Sequence, residues 1–343
     1  MSPGGAPRGR SRAEPRGPTG ANPASLNHRA LDLAVVAVAI PDQPLMPTLA
    51  KSPLATIVHP TDFSASGAAA FAHALAIALA AKSRLCLLHV REEDDAPPGR
   101  SEFRHVRDVL VGWGLLDKDA PPASIEATLG LRVSSVSVPA KNARTGILEY
   151  LDDHPSDLVV LATHESKSRT HWFDVSVERG VLRKTRVVTL FVRDGARGFV
   201  DPATGASRLR KVLVPIDGRI DWIPAVRRLE SRIKLIAPGV AFQLLHVGEH
   251  APEALAAQAR SVGMPVMTRS GAVVETILEV AKMQNFDLLA MPTAGRHGLL
   301  DALRGSTTAS VLDDARWPLL ALPVPGAPSS EPETANELAQ LAT

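Results

Sequence analysis

The strongest constraint on the fold is an internal repeat, because four apolar blocks occur twice along the chain in the same order. The first copy carries them at residues 55–62, 85–90, 157–163 and 186–192. The second copy carries them at residues 211–217, 242–247, 287–293 and 317–324. A repeated set of this kind indicates two copies of one structural unit in a single chain.

The blocks also indicate the kind of sheet. Each is a continuous apolar run without alternation of polar residues, which is typical of strands covered on both faces of a parallel sheet. Helical stretches separate the blocks, for example residues 65–81 in the first copy and 273–284 in the second. We therefore predict an α/β fold with two Rossmann-like, open parallel-sheet domains in tandem, whose ligands bind beyond the carboxyl ends of the strands.

The boundaries of these units follow from composition. We expect a first domain at residues 53–194, a linker at 195–209 that contains Gly, Pro and Arg, and a second domain at 210–325. Residues 1–52 combine Pro, Gly, Arg and Ser and cannot bury enough apolar surface to offset the entropy of ordering. We expect disordered tails at residues 1–52 and 326–343.

Composition also excludes several functional classes. The net charge is only +2 and aromatic residues make up 4% of the chain, so we expect neither a broad nucleic-acid surface nor a stacking platform for bases. No apolar run reaches the roughly 18 to 20 residues that span a bilayer, and the first residues lack the pattern of a secretory signal. The single cysteine, Cys86, lies in an apolar block, which favours a buried thiol and a reducing compartment. We expect a cytoplasmic protein without a membrane partner.

One stretch of the second copy carries the clearest chemistry. An apolar strand that ends at Pro292 is followed by a glycine loop, and Gly305, Ser306 and Thr307 then begin a helix. Glycines let backbone N–H groups approach an anion, and a helix N-terminus favours phosphate. The nine residues between Gly295 and Gly305 match neither a P-loop nor the Rossmann fingerprint. Turn and cap glycines without a ligand remain an alternative interpretation.

This spacing, together with the strand at 317–324 and the strand at 211–217 that ends in Asp217, resembles the universal stress protein family. ATP-binding members of that family carry Gly-x-x-Gly-x9-Gly-Ser/Thr and an Asp at the end of the first strand. Pro292 replaces the first glycine here. The resemblance implies a site for ATP or another adenine nucleotide, with Mg²⁺, in the second domain. The implied site residues are Pro215, Ile216, Asp217, Val247, Met291, Pro292, Gly295, Arg296, Gly305, Ser306 and Thr307.

The resemblance also implies what each of these residues contacts. The strand-end Asp217 would accept hydrogen bonds from the adenine amino group or from ribose hydroxyls, and Val247 would lie against the adenine. Residues 291–292 would lie beside the ribose. Gly295, Gly305, Ser306 and Thr307 would surround the phosphates, where Arg296 could add a charge-assisted contact.

The first copy departs from the motif. Its three glycine positions hold Ala162, Glu165 and Val175. Glu165 would place a negative charge where phosphate should lie, and Val175 would put side-chain bulk where the helix backbone must approach it. We expect that this copy has lost nucleoside triphosphate binding and that its Asp62, Ser64 and Ser66 cap the first helix instead.

The predicted function is a non-enzymatic stress-response protein whose second domain binds the nucleotide and whose first domain is structural or regulatory. Any hydrolysis of ATP would be slow, because Asp301 is the one carboxylate near the phosphate loop that could act as a general base or bind Mg²⁺. Asp301 can equally be interpreted as a solvated helix residue. The histidines are interpreted as core or rim residues rather than metal ligands, because they lack ligand spacing. An adenylyl-transfer enzyme would need a motif such as HxGH, which the sequence lacks.

The main alternative is a nucleotide-independent interaction module in which both sites are degenerate, and Pro292 favours it. In the family the last strands pair across a two-fold axis. Strands 187–192 and 319–324 are therefore expected to join the two halves as an internal pseudo-dimer. The sequence leaves open the protein partner, further assembly into homo-oligomers and the stress that is answered.

Overall fold

The computed structural model describes residues 54–91, 101–121, 123–163, 177, 187–218, 220–294 and 307–324, and the tails predicted at 1–52 and 326–343 lie outside these ranges. The strands are β1 (Thr56–Pro60), β2 (Arg84–Arg91), β3 (Arg132–Pro139), β4 (Leu158–Thr163), β5 (Val188–Arg193), β6 (Lys211–Pro215), β7 (Ala241–Val247), β8 (Val266–Arg269), β9 (Leu288–Ala294) and β10 (Leu319–Val324). The helices are α1 (Ala68–Ala81), α2 (Ser101–Gly112), α3 (Ser124–Leu129), α4 (Ala143–Asp153), α5 (Ile223–Ile236), α6 (Glu253–Ser261), α7 (Val273–Met283) and α8 (Thr307–Asp314).

The ten strands form one sheet in the order β3-β2-β1-β4-β5-β10-β9-β6-β7-β8. We refer to β1–β5 as the first half and to β6–β10 as the second half. All neighbouring pairs within each half are parallel, whereas β5 and β10 pair antiparallel and join the halves. This arrangement confirms the predicted α/β class, and the expected pairing of the two last strands is observed.

Helices cover both faces of the sheet, as the unbroken apolar blocks predict. Every residue of β4 is buried, and so are residues 189–192 of β5. One apolar core lies on the α1 and α5 side and runs through both halves, with Leu75 and Leu229 among its members. A second core lies on the α4 and α7 side and includes Ile147 and Ile277. Cys86 is buried there as predicted, 3.3 Å from the Tyr150 hydroxyl oxygen, and burial raises the pKa of its thiol.

The sequence analysis overlooked four elements, namely β3, β8, α2 and α3. The two strands form the outer edges of the sheet, where each has a single neighbour. Neither contains a fully buried residue, and β3 carries three serines among its valines. Because an edge strand is only partly covered, its sequence need not form the continuous apolar run on which the prediction depended.

Residues 195–209, predicted as a linker, fold back on the first half. Val200 and Ser207 form an isolated antiparallel bridge, so the segment is a short hairpin. The Trp113 indole nitrogen donates a hydrogen bond to the Pro202 carbonyl oxygen at 2.9 Å. Phe199 and Val200 are buried, and their N–H groups donate to Nε2 of His73 on α1 at 3.0 and 3.2 Å. The segment is therefore an integral part of the packed structure.

Candidate functional site

The strand order brings three groups of predicted site residues to one edge of the sheet. Asp217 is the second residue after the end of β6, Val247 ends β7, and Met291 and Pro292 lie in the last part of β9. These strands are neighbours in the order β9-β6-β7 and run parallel, so their carboxyl ends meet at the same edge. The strand order reverses direction at β6, which is the position where open α/β sheets bind ligands.

Two prolines end the pairing of β6 and β9 at this point, and we call the unpaired carboxyl ends of these two strands the crevice. The ladder between β6 and β9 pairs Val212 with Leu288 and Leu213 with Leu289 and then stops, although both strands continue. Alternation along the strands places the N–H positions of Pro215 and Pro292 at the next steps of this ladder. Proline has no N–H group, so these bonds cannot form and the ladder ends.

The same alternation explains why β9 tolerates a proline. The register pairs Pro292 with Leu322 of β10, and the β9–β10 ladder continues to Ala294 and Val324. The missing N–H of Pro292 is directed toward β6, so no hydrogen bond to β10 is lost. The prediction that the strand ends at Pro292 and that a loop begins at Thr293 is therefore wrong, because pairing with β10 extends β9 by two residues.

The described site residues differ in exposure. Asp217 is exposed, Val247 and Pro292 are half-buried, and Met291 is buried in the core on the α7 side. Ile216 is also buried, and its N–H already donates to the Leu245 carbonyl oxygen at 2.8 Å. Ile216 therefore anchors the end of β6 and has no backbone donor left for a ligand.

The predicted phosphate segment is described only in part. Thr307 is half-buried and begins α8, which connects β9 to β10 and therefore starts near the carboxyl edge of the sheet. Four predicted contacts lie outside the described residues, namely Gly295, Arg296, Gly305 and Ser306. So do Asp301 and the Glu165 and Val175 positions of the first copy.

Comparison with known families identifies the fold. The model of the "Universal stress protein family" matches residues 54–193 and 249–323, which together are more than half of the chain. The chain belongs to the universal stress protein family. No curated protein matches it.

Solved structures show the same architecture over both halves. A universal stress protein from Archaeoglobus fulgidus is 17% identical, with 78% of this chain and 96% of that chain covered and a TM-score of 0.54. A functionally unknown protein from Pseudomonas aeruginosa PAO1 is also 17% identical, with coverage of 80% and 94% and a TM-score of 0.55. At such low identity these similarities establish the fold of this universal stress protein and leave its ligand open.

In the first half of this universal stress protein a side chain bonds across the equivalent crevice. The β1–β4 ladder also stops after two pairs, and Pro60 at the end of β1 lacks the next N–H donor. Here His59 supplies a donor instead, because its Nδ1–H donates to the Val160 carbonyl oxygen at 2.9 Å. The repeat places Val214 at the corresponding position of β6, and valine has no such donor.

His59 has an unusual environment that the sequence analysis did not single out. It is completely buried, and its Nε2 atom has no hydrogen-bond partner among the described residues. Burial lowers its pKa to about 4, against a smaller opposing effect of the hydrogen bond to Val160. The sequence did contain a signal for this environment. It is a polar residue inside an apolar block, at a position where the other copy has valine.

The turn after β1 differs from its prediction. The Asp62 carboxylate accepts the Ser64 N–H at 2.9 Å, and the Ser64 and Ser66 hydroxyls bond to each other at 2.8 Å. Gly67 is the N-cap of α1, so the expectation that these three side chains cap this helix is wrong. A 3₁₀ turn at Ala65–Gly67 separates Ser64 from the first residue of α1, and Ser64, the N-cap residue of that turn, makes no capping hydrogen bond with its side chain.

The histidines near the ends of β2 and β7 lie at the rim of the core. His89 and His246 are both half-buried, which agrees with their interpretation as core or rim residues. Nδ1 of His89 lies 3.0 Å from the Thr61 carbonyl oxygen.

Within the described ranges no group of three or more His, Cys, Asp or Glu residues could hold a metal ion. No helix of the described part is long and apolar enough to cross a membrane.

Proposed function

We propose that this universal stress protein binds ATP, with Mg²⁺, or a related adenine nucleotide in its second half, and that the first half has a structural or regulatory role. The observation that carries the proposal is the crevice between β6 and β9. It lies at the switch point of the sheet and is flanked by Asp217, Val247 and Met291. α8 begins at Thr307 and, because it follows β9, starts near the same edge of the sheet.

The difference between the halves supports a single site. In the first half the imidazole of His59 bonds to the carbonyl group of Val160 at the end of the ladder. In the second half Val214 leaves the corresponding carbonyl group, that of Ala290, without this donor. An adenine amino group is a hydrogen-bond donor of the kind that such a carbonyl accepts.

The test is isothermal titration of the folded, full-length protein with ATP and Mg²⁺, after denaturing mass spectrometry has checked for co-purified nucleotide. We expect one site, weakened about tenfold or more in Gly305→Glu because a carboxylate would repel the phosphates. Asp217→Ala should weaken binding as well, whereas the matched variant Asp62→Ala in the first half should not.

Equal weakening by Asp62→Ala and Asp217→Ala would contradict the assignment of the site to the second half. Unchanged affinity in Gly305→Glu would contradict the phosphate segment. If the folded protein binds no nucleotide and carries none, the proposal fails, and a nucleotide-independent interaction module becomes the better description. A non-enzymatic role further predicts that ATP hydrolysis by the purified protein is slow or absent.

A further inference from the structure

One side chain of the first half contacts the helix that begins at the candidate site of the second half. Arg193 is the last residue of β5, and its Nη2 atom donates hydrogen bonds to the carbonyl oxygens of Leu312 and Asp313, at 2.9 and 2.5 Å. Both carbonyls belong to the last turn of α8. The last four carbonyl groups of a helix have no intrahelical donor, so Arg193 caps α8 from the other half.

The charge of Arg193 suits this position. α8 ends with Asp313 and Asp314, and negative charges are unfavourable at the C-terminus of a helix. A guanidinium group beside the last carbonyls offsets that effect. The Nε atom of Arg193 is buried and has no partner among the described residues, whereas its Nη2 atom bonds to the two α8 carbonyls.

Among the residues that the structure describes, this contact runs from the first half to the second and has no counterpart in the opposite direction. The β4–β5 register pairs Thr163 with Arg193, and the β9–β10 register pairs Thr293 with Pro323. Since the repeat aligns the two threonines, Pro323 is the equivalent of Arg193. Proline has no side-chain donor with which to cap a helix. The asymmetry matches the proposal of one nucleotide site.

We propose that Arg193 is a positioning residue for the phosphate end of the nucleotide in the second half, an inference that rests on the function proposed above. α8 has only eight residues, so a cap on its last turn restrains the whole helix, including Thr307 at its start. The guanidinium charge of Arg193 lies at the C-terminus of α8, so it does not reduce the partial positive charge at the N-terminus of this helix, which favours phosphate.

The test compares ATP with Mg²⁺ against adenosine, by titration of the full-length wild-type protein, Arg193→Met and Arg193→Lys. Arg193→Met should weaken ATP binding about three- to tenfold. Adenosine has no phosphate, so its affinity should change less than twofold. Arg193→Lys keeps the charge and should give an intermediate loss for ATP. A purely structural role would weaken both ligands by the same factor.

Arg232→Met is the matched control, because Arg232 of α5 also connects the halves. Its Nη2 atom lies 3.7 Å from the Asp157 carboxylate, which precedes β4 at the opposite edge of the sheet. Its ATP affinity should stay within twofold of the wild type. Unchanged ATP affinity in Arg193→Met, or an equal loss in Arg232→Met, would overturn the inference and leave the proposed function intact. Absence of ATP binding by the wild type would overturn both.

Discussion

Two buried histidines of the first half are held in the neutral state by their surroundings. His73 donates its Nδ1–H to the Ala69 carbonyl oxygen at 2.7 Å. Its Nε2 accepts hydrogen bonds from two backbone N–H groups of the hairpin at 195–209. Burial lowers the pKa of His73 to about 4, as it does for His59. A second proton would therefore enter only at the expense of these contacts.

At the scale of these residues, acid should destabilise the protein. An unfolded histidine has a pKa near 6.5, so between that pH and about 4 the unfolded chain binds protons that the folded chain does not. The free energy of unfolding should be highest above pH 6.5 and fall as pH decreases toward 4, by at most roughly 3 kcal/mol for each histidine. Urea unfolding at pH 7.5, 5.5 and 4.5 measures this slope.

The variant His73→Gln separates this effect from the titration of carboxylates. It should lower the free energy of unfolding at pH 7.5 and give a shallower decrease with acid than the wild type. His154→Gln, at an exposed position, is the control and should reproduce the wild-type slope. Parallel profiles for His73→Gln and the wild type would contradict the role assigned to His73.

At the scale of elements, the hairpin at 195–209 depends on close packing against the first half. A Cβ atom at Gly198 would lie 2.3 Å from Cε1 of His73, and one at Gly205 would lie 2.4 Å from the Trp113 ring. Gly205 also has a φ of +71°, which favours glycine. The hairpin therefore connects the C-terminal end of α2 with α1, and glycine is required at both contacts.

Gly198→Ala should consequently destabilise the protein by roughly 1 to 3 kcal/mol, because the added methyl group must displace a buried imidazole. Thermal or urea unfolding measures the change. Gly239→Ala is the matched control, since nothing lies within 4 Å of a Cβ atom there, and it should change stability by about 0.5 kcal/mol or less. Equal stability of the two variants would mean that the hairpin is not held by His73.

At the scale of the whole molecule, the β5–β10 pair makes one sheet of two repeats. Phe191 pairs with Leu319 across this junction and is 1% exposed. Each strand covers what would otherwise be a free edge of the other half, and free edges promote aggregation. We therefore expect the halves to unfold together rather than as independent domains.

Phe191→Ala tests this expectation. Removal of a buried aromatic ring should cost roughly 3 to 5 kcal/mol, and hydrogen exchange should accelerate in both α4 and α7, one helix from each half. Met283→Ala is the control, because Met283 is 72% exposed and should have little effect on exchange. Acceleration confined to α4 would show that the second half remains folded when the junction is weakened.

The sequence alone determined the class of fold and the strands buried at its centre. Their residues are apolar on both faces, and the repetition of the blocks indicates two copies of one unit. Even a local detail is repeated. The Asp157 carboxylate accepts the N–H groups of Ala55 and Thr56, and the equivalent Asp287 accepts those of Arg210 and Lys211.

Only the tertiary structure decided which side chain bonds across the crevice of the first half and which side chains connect the halves. The donor that His59 supplies depends on a ladder that two strands form together, and Arg193 contacts a residue 119 positions away in sequence. The edge strands β3 and β8 were overlooked for the same reason. Their partial burial depends on their place in the sheet, and residue type and spacing carry information about local burial but not about which distant element lies beside it.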